Sequence, residues 1–452
     1  MNPWQRNLMW CALAAIALGL AAVQVLTELT RPGRDEAMDH LRTRLAESAR
    51  LDASQSERPI TPNSVTKAGV TPRRSIEETR EKALELMKAF YARMDWDIEE
   101  NRRPFALLGN LLSGRRSLKE LTQEDLDSLK KLIDANGDIW KELDDLDWDR
   151  LHEAMIEAST RSKAFENMWD LSAVSADLLM AQAILDARAG NADAVLRDLA
   201  RYLSALEVSC PIPESVTCVM NLVSSELERG AASKEAEEVF LEELARSRRR
   251  ELFRRQQEQF LALILKELDE LPQPVIEQER NPIRKVLGLG YCTIGLPLLN
   301  YDMQNFAANA ERILDASSLP YLEAEAALAD VRADCDARLL GEFGRNLGAD
   351  FLCQPERFAA RAEQEARMDL MRLGILVERY QAEHGAYPLT LDALQDRFAG
   401  ALPVDPFSGG SYGYASDGQS FRLFSVGHDG EIVWRGDEAQ AQTGDQSNEL
   451  QP

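Results

Sequence analysis

Ser425, His428 and Asp429 stand within one short stretch near the C-terminal end, and a hydroxyl, an imidazole and a carboxylate are the groups of a nucleophile, its base and the acid that orients the base. Neighbouring positions on one hairpin do not converge as a triad must, and no Gly-x-Ser-x-Gly turn lifts a serine above a sheet, so no acyl-transfer site is read here. Metal chemistry finds as little support. His40 and His152 are isolated, His384 sits where a helix end offers its last carbonyls, and no Cys or His pair has zinc spacing. The run DANGDIWKELDD places Asp134, Asn136 and Asp138 at alternate positions, as a calcium loop does. It has Ile139 where the sharp turn needs Gly, and Asp145 where a bidentate Glu belongs. A helix stop at Asn136-Gly137, followed by Asp138 capping the next helix, accounts for the pattern. Gly288, Gly290 and Gly295 follow no strand and have no acidic ribose partner, which makes them packing glycines and not a nucleotide cradle.

The cysteines carry a different message. Cys210 and Cys218 bracket a short Pro-containing segment, CPIPESVTC, whose close ends could hold a disulfide in an oxidising compartment. Cys335 and Cys353 could form another, leaving Cys292 over; reduced, buried thiols in a cytosolic chain are the other reading.

The elements that position these residues are nearly all helical until about residue 350. Ser75 and Glu78 have capping-box spacing, and Ala83, Leu84, Met87 and Phe90 then recur at helical intervals. Thr122 before Gln123-Glu124-Asp125 opens another helix. Val195, Leu199, Tyr202 and Leu206 form a stripe, and the turn Gly190-Asn191 joins their helix to the one before it as an antiparallel hairpin like a tetratricopeptide unit. No sustained repeat of about 34 residues follows, so the expectation is an irregular helical bundle. A long helix from roughly Glu356 to His384 then carries Ala366, Leu370, Leu373, Val377 and Tyr380 on one stripe. A short helix after Thr390 and three strands, SYGYA, SFRLFSV and EIVWR, complete a compact α+β unit, its hairpins made by Asp417-Gly418 and His428-Asp429-Gly430. Phe407, Tyr412, Tyr414 and Trp434 are the apolar residues there that either fill its core or face a partner.

Charge and hydropathy limit the setting. With 76 Asp+Glu against 52 Lys+Arg the net charge is −24, and such a surface repels phosphates, which excludes nucleic acid as a main partner. The nineteen uncharged residues Leu8 to Leu26 are long enough to cross a bilayer. An uncleaved single-pass anchor is expected in preference to a cleaved signal peptide, for which Gly19-Leu20-Ala21 would supply small residues. Counting Arg6 against Arg31, Arg34, Arg42 and Arg44 favours a cytoplasmic body, whereas the cysteine pairs favour an outside one; the expectation adopted is a bacterial inner-membrane anchor with its body in the periplasm. The segment LDASQSERPITPNSVTKAGVTPRR is too poor in large apolar residues to fold and reads as a tether.

The run RMDLMRLGILVERYQAEHGAYPLTLDAL, followed by LPVDPFSGGSYGY and FRLFSVGHDG, resembles the globular region of the major pseudopilins of type II secretion. The resemblance spans Arg367 to about Gly430 and implies a long helix on a small antiparallel sheet. It also implies calcium in the loop after the last motif, with Asp429 as a ligand and Asp437 a more distant one; EIVWRGDEAQ stands where the family has glycines and more acids, and a plain hairpin turn at Asp429-Gly430 is the preferred reading. The order of anchor, helical region and terminal module is similar to that of uncharacterised membrane-anchored envelope proteins of bacteria.

The fold expected is therefore mainly α: a transmembrane anchor over 1–30, a flexible linker over 31–74, a helical domain over 75–352, a pseudopilin-like α+β domain over 353–436 and a disordered tail over 437–452. The function expected is protein–protein interaction without catalysis, with the membrane and components of a type II secretion or pilus-like apparatus as partners. The alternative is a periplasmic hydrolase or ligand-binding enzyme with its pocket in the helical region, and a third reading is a tetratricopeptide-like adaptor for which the terminal module is only a cap.

Overall fold

Met38 and Leu41, three positions apart on an otherwise polar stretch, are both buried in the computed structural model, and the helix that carries them is the first element described. The structure describes residues 29, 31–47, 75–93, 99–113, 115–143, 151, 163–209, 213–229, 232–246, 304–336, 355–398 and 401–434, with isolated residues between 253 and 265. Leu8–Leu26, Cys210, Cys292, Cys353, the tether from Leu51 and the tail over 437–452 lie outside them.

In chain order the described helices begin with α1 (31–47), α2 (Ile76–Arg93), α3 (Glu99–Leu112), α4 (Gln123–Ala135), α5 (Gly137–Leu143) and α6 (Lys163–Ala189). They continue with α7 (Ala192–Ser209), α8 (Pro213–Glu228), α9 (Lys234–Arg246), α10 (304–317), α11 (Tyr321–Asp336) and α12 (Pro355–His384). A 3-10 helix, Leu391–Arg397, and strands β1 (Gly413–Ser416), β2 (Phe421–Ser425) and β3 (Ile432–Trp434) follow. The protein is thus mainly helical with a small antiparallel sheet near its C-terminal end. The described residues fall into two units, one within 1–71, 253–319 and 323–355, the other within 72–252, 320–322 and 356–452.

In the first unit α1 is a helix where a linker was expected over 31–74. It buries Met38 and Leu41, and its polar side reaches α10: Arg44 pairs with Asp315, and His40 Nδ1 lies 2.6 Å from Glu311 Oε1. On α10, Phe306, Ala310, Ile313 and Leu314 are buried; on α11, Ala324, Leu328 and Val331, spaced by four and three, are buried as well.

The second unit starts at the capping box read from the sequence. Ser75 N–H donates to Glu78 Oε2 at 2.7 Å, and Glu78 N–H donates to Ser75 Oγ at 3.2 Å. Thr122 and Asp125 form the same arrangement at the start of α4. Helix α6 ends at Ala189, Gly190 takes φ 74°, and Asn191 opens α7, so the two run antiparallel as a hairpin. Arg229 ties this hairpin to the end of α8 by donating to the Ala187 carbonyl at 3.0 Å. Val195, Leu199 and Tyr202 are fully buried.

One continuous apolar core joins these helices to the chain's last elements, running from Phe90 and Leu108 through Leu199 and Phe240 to Leu373, Leu423 and Trp434. The three strands form a meander in the order β1-β2-β3, Tyr414 opposite Leu423 and Leu423 opposite Trp434. Leu423, Ile432 and Trp434 are buried, and Trp434 lies against Gly374 of α12. The segment after Thr390 is 3-10 and not α, and Thr390 makes no side-chain cap bond.

Candidate functional site

The loop between the 3-10 helix and β1 contains Leu402-Pro403-Val404-Asp405-Pro406, and its aspartate is the most enclosed charged group of the sheet region, with no exposed surface. Asp405 Oδ1 accepts from Ser425 Oγ at 2.8 Å and from the Phe407 N–H at 3.1 Å, and Oδ2 accepts from the Val426 N–H at 3.1 Å. Its backbone continues the pattern: Asp405 N–H donates to Gly410 O at 2.8 Å, and Gly409 N–H donates to Asp405 O at 2.9 Å. A carboxylate taken fully out of water is tolerated when its lone pairs are filled in this way. Pro406 removes a donor from the loop, and Gly409, at φ 68°, lets the chain turn back.

Nearby, Tyr412 crosses to the helix. Its hydroxyl donates to Asp369 Oδ2 at 3.0 Å. Burial, then the Asp369 and Asp405 charges, raise its pKa far above that of an ordinary phenol, so the hydroxyl stays protonated and keeps its proton for Asp369. Tyr414 donates to the Pro388 carbonyl at 2.7 Å and packs with Phe421, which meets Tyr387 at 4.8 Å between ring centres. Trp434 and Tyr412 are buried, and Phe407 and Tyr414 are partly buried against the core, so these four fill the module. The large apolar side chains it does expose are Leu389, Val404 and Val426.

The residues whose types suggested a triad are separated. Ser425 is buried and engaged with Asp405, whereas Asp429 has 90% of its side chain exposed. His428 Nε2 is 3.7 Å from Asp429 Oδ1, and its Nδ1 faces the hydroxyl of Tyr321, a residue of the same unit, at 3.1 Å. Gly427 and Gly430 take φ 67° and 145°, which makes the Ser-x-Gly-x-Asp-Gly segment a tight turn. Among the described residues no group of three His, Cys, Asp or Glu side chains gathers as a metal centre would need, and Asp437 lies outside them.

Asp138 follows the helix stop at Asn136 and stands in the first turn of α5, where Arg93 pairs with it and lowers its pKa. Cys218 is a buried free thiol, pushed up to about 12 by burial. Its proposed partner, Cys210, is outside the described residues. None of the described helices is long and apolar enough to cross a membrane.

The sequence reading assigned no role to Asp405 itself. The available signal was an aspartate between Pro403 and Pro406, upstream of a Ser-Gly-Gly run: an acid in a loop with few donors of its own, which must recruit them from elsewhere. Comparison with family models, with curated proteins and with solved structures found no match.

Proposed function

We propose that the chain is a membrane-anchored protein of the bacterial envelope that works by binding other proteins. In fold terms the reading is a transmembrane helix over Leu8–Leu26, a helical body containing the tetratricopeptide-like hairpin α6–α7, and a pseudopilin-like module from α12 to β3. The body lies on the periplasmic side, and the partners are components of a type II secretion or pilus-like apparatus.

The observation that carries this reading is the bond between Asp405 and Ser425. Two of the stretches on which the resemblance rests, Leu-Pro-x-Asp-Pro and Ser-x-Gly-x-Asp-Gly, are held together by it at the end of the central strand of the three-stranded meander. Such a module offers surfaces, and its fully buried carboxyl, that of Asp405, is spent on donors of its own chain.

The test is cross-linking in intact cells followed by identification of the partners, together with a reporter, active only outside the cytoplasm, fused after the last residue. Secretion or pilus-like components among the partners and an active reporter are expected. An inactive reporter overturns the location, and partners of other kinds overturn the apparatus.

A further inference from the structure

The chain has a single Asn-Gly pair, Asn136-Gly137, and it stands at the joint between α4 and α5. Such a pair can react with itself. The Gly137 nitrogen attacks the side-chain carbonyl carbon of Asn136, a C–N bond closes a five-membered imide, and the side-chain nitrogen leaves as ammonia, carrying the proton that Gly137 gives up. Water then opens the ring at either carbonyl and leaves aspartate or isoaspartate. A glycine nitrogen is the least hindered attacker, because its residue has no Cβ and turns freely. In the folded chain the approach is blocked. Asn136 is fully buried, and its Nδ2 donates to the Leu132 carbonyl at 2.9 Å, which turns the amide back along α4 and away from Gly137, the first residue of α5. Among the described side chains, α5 is held by the buried Ile139 and by surface pairs that Arg93 and Lys82 of α2 make with Asp138 and Glu142. A seven-residue helix attached in this way belongs to the low-stability end of a fold.

We propose that Asn136-Gly137 is a self-modification site guarded by α5: the joint is inert while α5 is docked, converts to an acidic residue when α5 lifts from α2, and thereafter keeps the helix from redocking. The last step follows from what surrounds position 136. The partner of its Nδ2 is a carbonyl, and its Oδ1 is buried without a donor. A carboxylate in that place would set an acceptor against the Leu132 carbonyl and find no donor of its own, which leaves a buried charge unpaired. It would also stand at the C-terminal end of α4, where the helix dipole repels negative charge. Isoaspartate would in addition lengthen the backbone between the two helices by one atom. The proposal is independent of which proteins the chain binds.

The full-length protein is held at mildly alkaline pH, folded and in urea, and the peptide containing position 136 is followed by mass, with aspartate and isoaspartate separated by chromatography. Conversion is expected in both, and to be slower by about tenfold or more in the folded chain. Ile139→Ala, which loosens α5 without touching the pair, is expected to speed conversion of the folded chain on the order of tenfold. Should that variant fail to fold, Arg93→Gln, which removes only the pair to Asp138, is read in its place, with about a threefold gain expected. Asn136→Asp, made directly, is expected to lose amide-exchange protection over 137–143 while α7 keeps its own. No conversion in urea overturns the site. Equal rates folded and in urea, or a rate that the loosening variant leaves unchanged, overturn the guard. An Asn136→Asp chain that protects 137–143 as well as its parent overturns the one-way step.

Discussion

The indole of Trp434 occupies the space that a side chain at position 374 would need: a Cβ built on Gly374 would come closer to three of its ring atoms than real Cβ contacts allow. Glycine in mid-helix costs about 1 kcal/mol relative to alanine, so its presence here is a packing requirement that outweighs helix propensity. Gly374→Ala is expected to lower stability to urea by about 1–3 kcal/mol. Gly109, on the exposed side of α3 with nothing within 4 Å of its missing Cβ, is the contrast. Gly109→Ala is expected to raise stability by about 1 kcal/mol, and equal effects at the two sites would refute the packing argument.

Asp405 serves three donors at once, so its loss should exceed that of any one partner. Asp405→Ala leaves Ser425 Oγ and two N–H groups without an acceptor and is expected to cost about 3 kcal/mol or more. Ser425→Ala removes one bond and should cost about 1 kcal/mol. The double variant should lose clearly less than the sum, because the two groups share a bond. Strict additivity in denaturant titrations would count against a shared network.

Burial pushes Asp177 of α6 up to about 7, whereas an unfolded aspartate titrates near 3.9. The folded state therefore holds this proton more tightly than the unfolded one. Stability from this group is complete below about pH 4 and is lost as the pH rises through 7. Asp177→Asn is expected to raise the unfolding temperature at pH 8 by about 2 °C or more and to change it little at pH 4. A gain of the same size at both values would show that the carboxyl is not the cause.

Asp125 has the opposite sign. Desolvation raises its pKa, but Arg116 at 2.6 Å and the Thr122 backbone and hydroxyl outweigh this and hold it down at about 2. Its contribution is present above about pH 4 and is lost as the pH falls towards 2, on the order of 1 kcal/mol once solvent screening at Arg116 is allowed for. Asp125→Asn should flatten the acid limb of the stability profile over that interval, and an unchanged limb would remove Asp125 from the account.

Alkylation reports on Cys218. As a buried thiol raised to about 12, it should escape an alkylating reagent at pH 8 in the native protein and react on unfolding without reductant. Protection that persists through unfolding until a reductant is added would instead show that it is bonded, with Cys210 the expected partner.

Regular elements were legible where one local rule acted alone. The capping box at Ser75 and Glu78, the turn at Gly190-Asn191 and the stripe Val195, Leu199, Tyr202 all follow from spacing, and each is seen. The three strands also follow, within two residues at their ends. Helix α1 shows in the sequence only as weak amphipathicity over Asp35 to Arg50 within the expected linker, because two buried residues, Met38 and Leu41, are too few to outweigh its charged surroundings until tertiary contacts are known. The separation of a helical from a pseudopilin-like domain followed the onset of strand signals and the resemblance over Arg367 to about Gly430, whereas Leu370 and Phe240 share one core. The run Leu373-Gly374-Ile375-Leu376-Val377 carried that information, since five successive apolar positions go more than once round a helix. Asp405 was missed for another reason: its partners at 407, 425 and 426 come together only when the sheet closes.

Because α12 starts at Pro355, more than a hundred residues after α9 ends at Arg246, the ribosome has released most of the bundle before its central helix exists. At about 5–20 residues per second, α2 to α9 wait on the order of ten seconds with part of their greasy interior bare. Newly made chains should therefore depend on chaperones over that interval, and a stop codon shortly before Pro355 should give an aggregating product rather than a smaller soluble one.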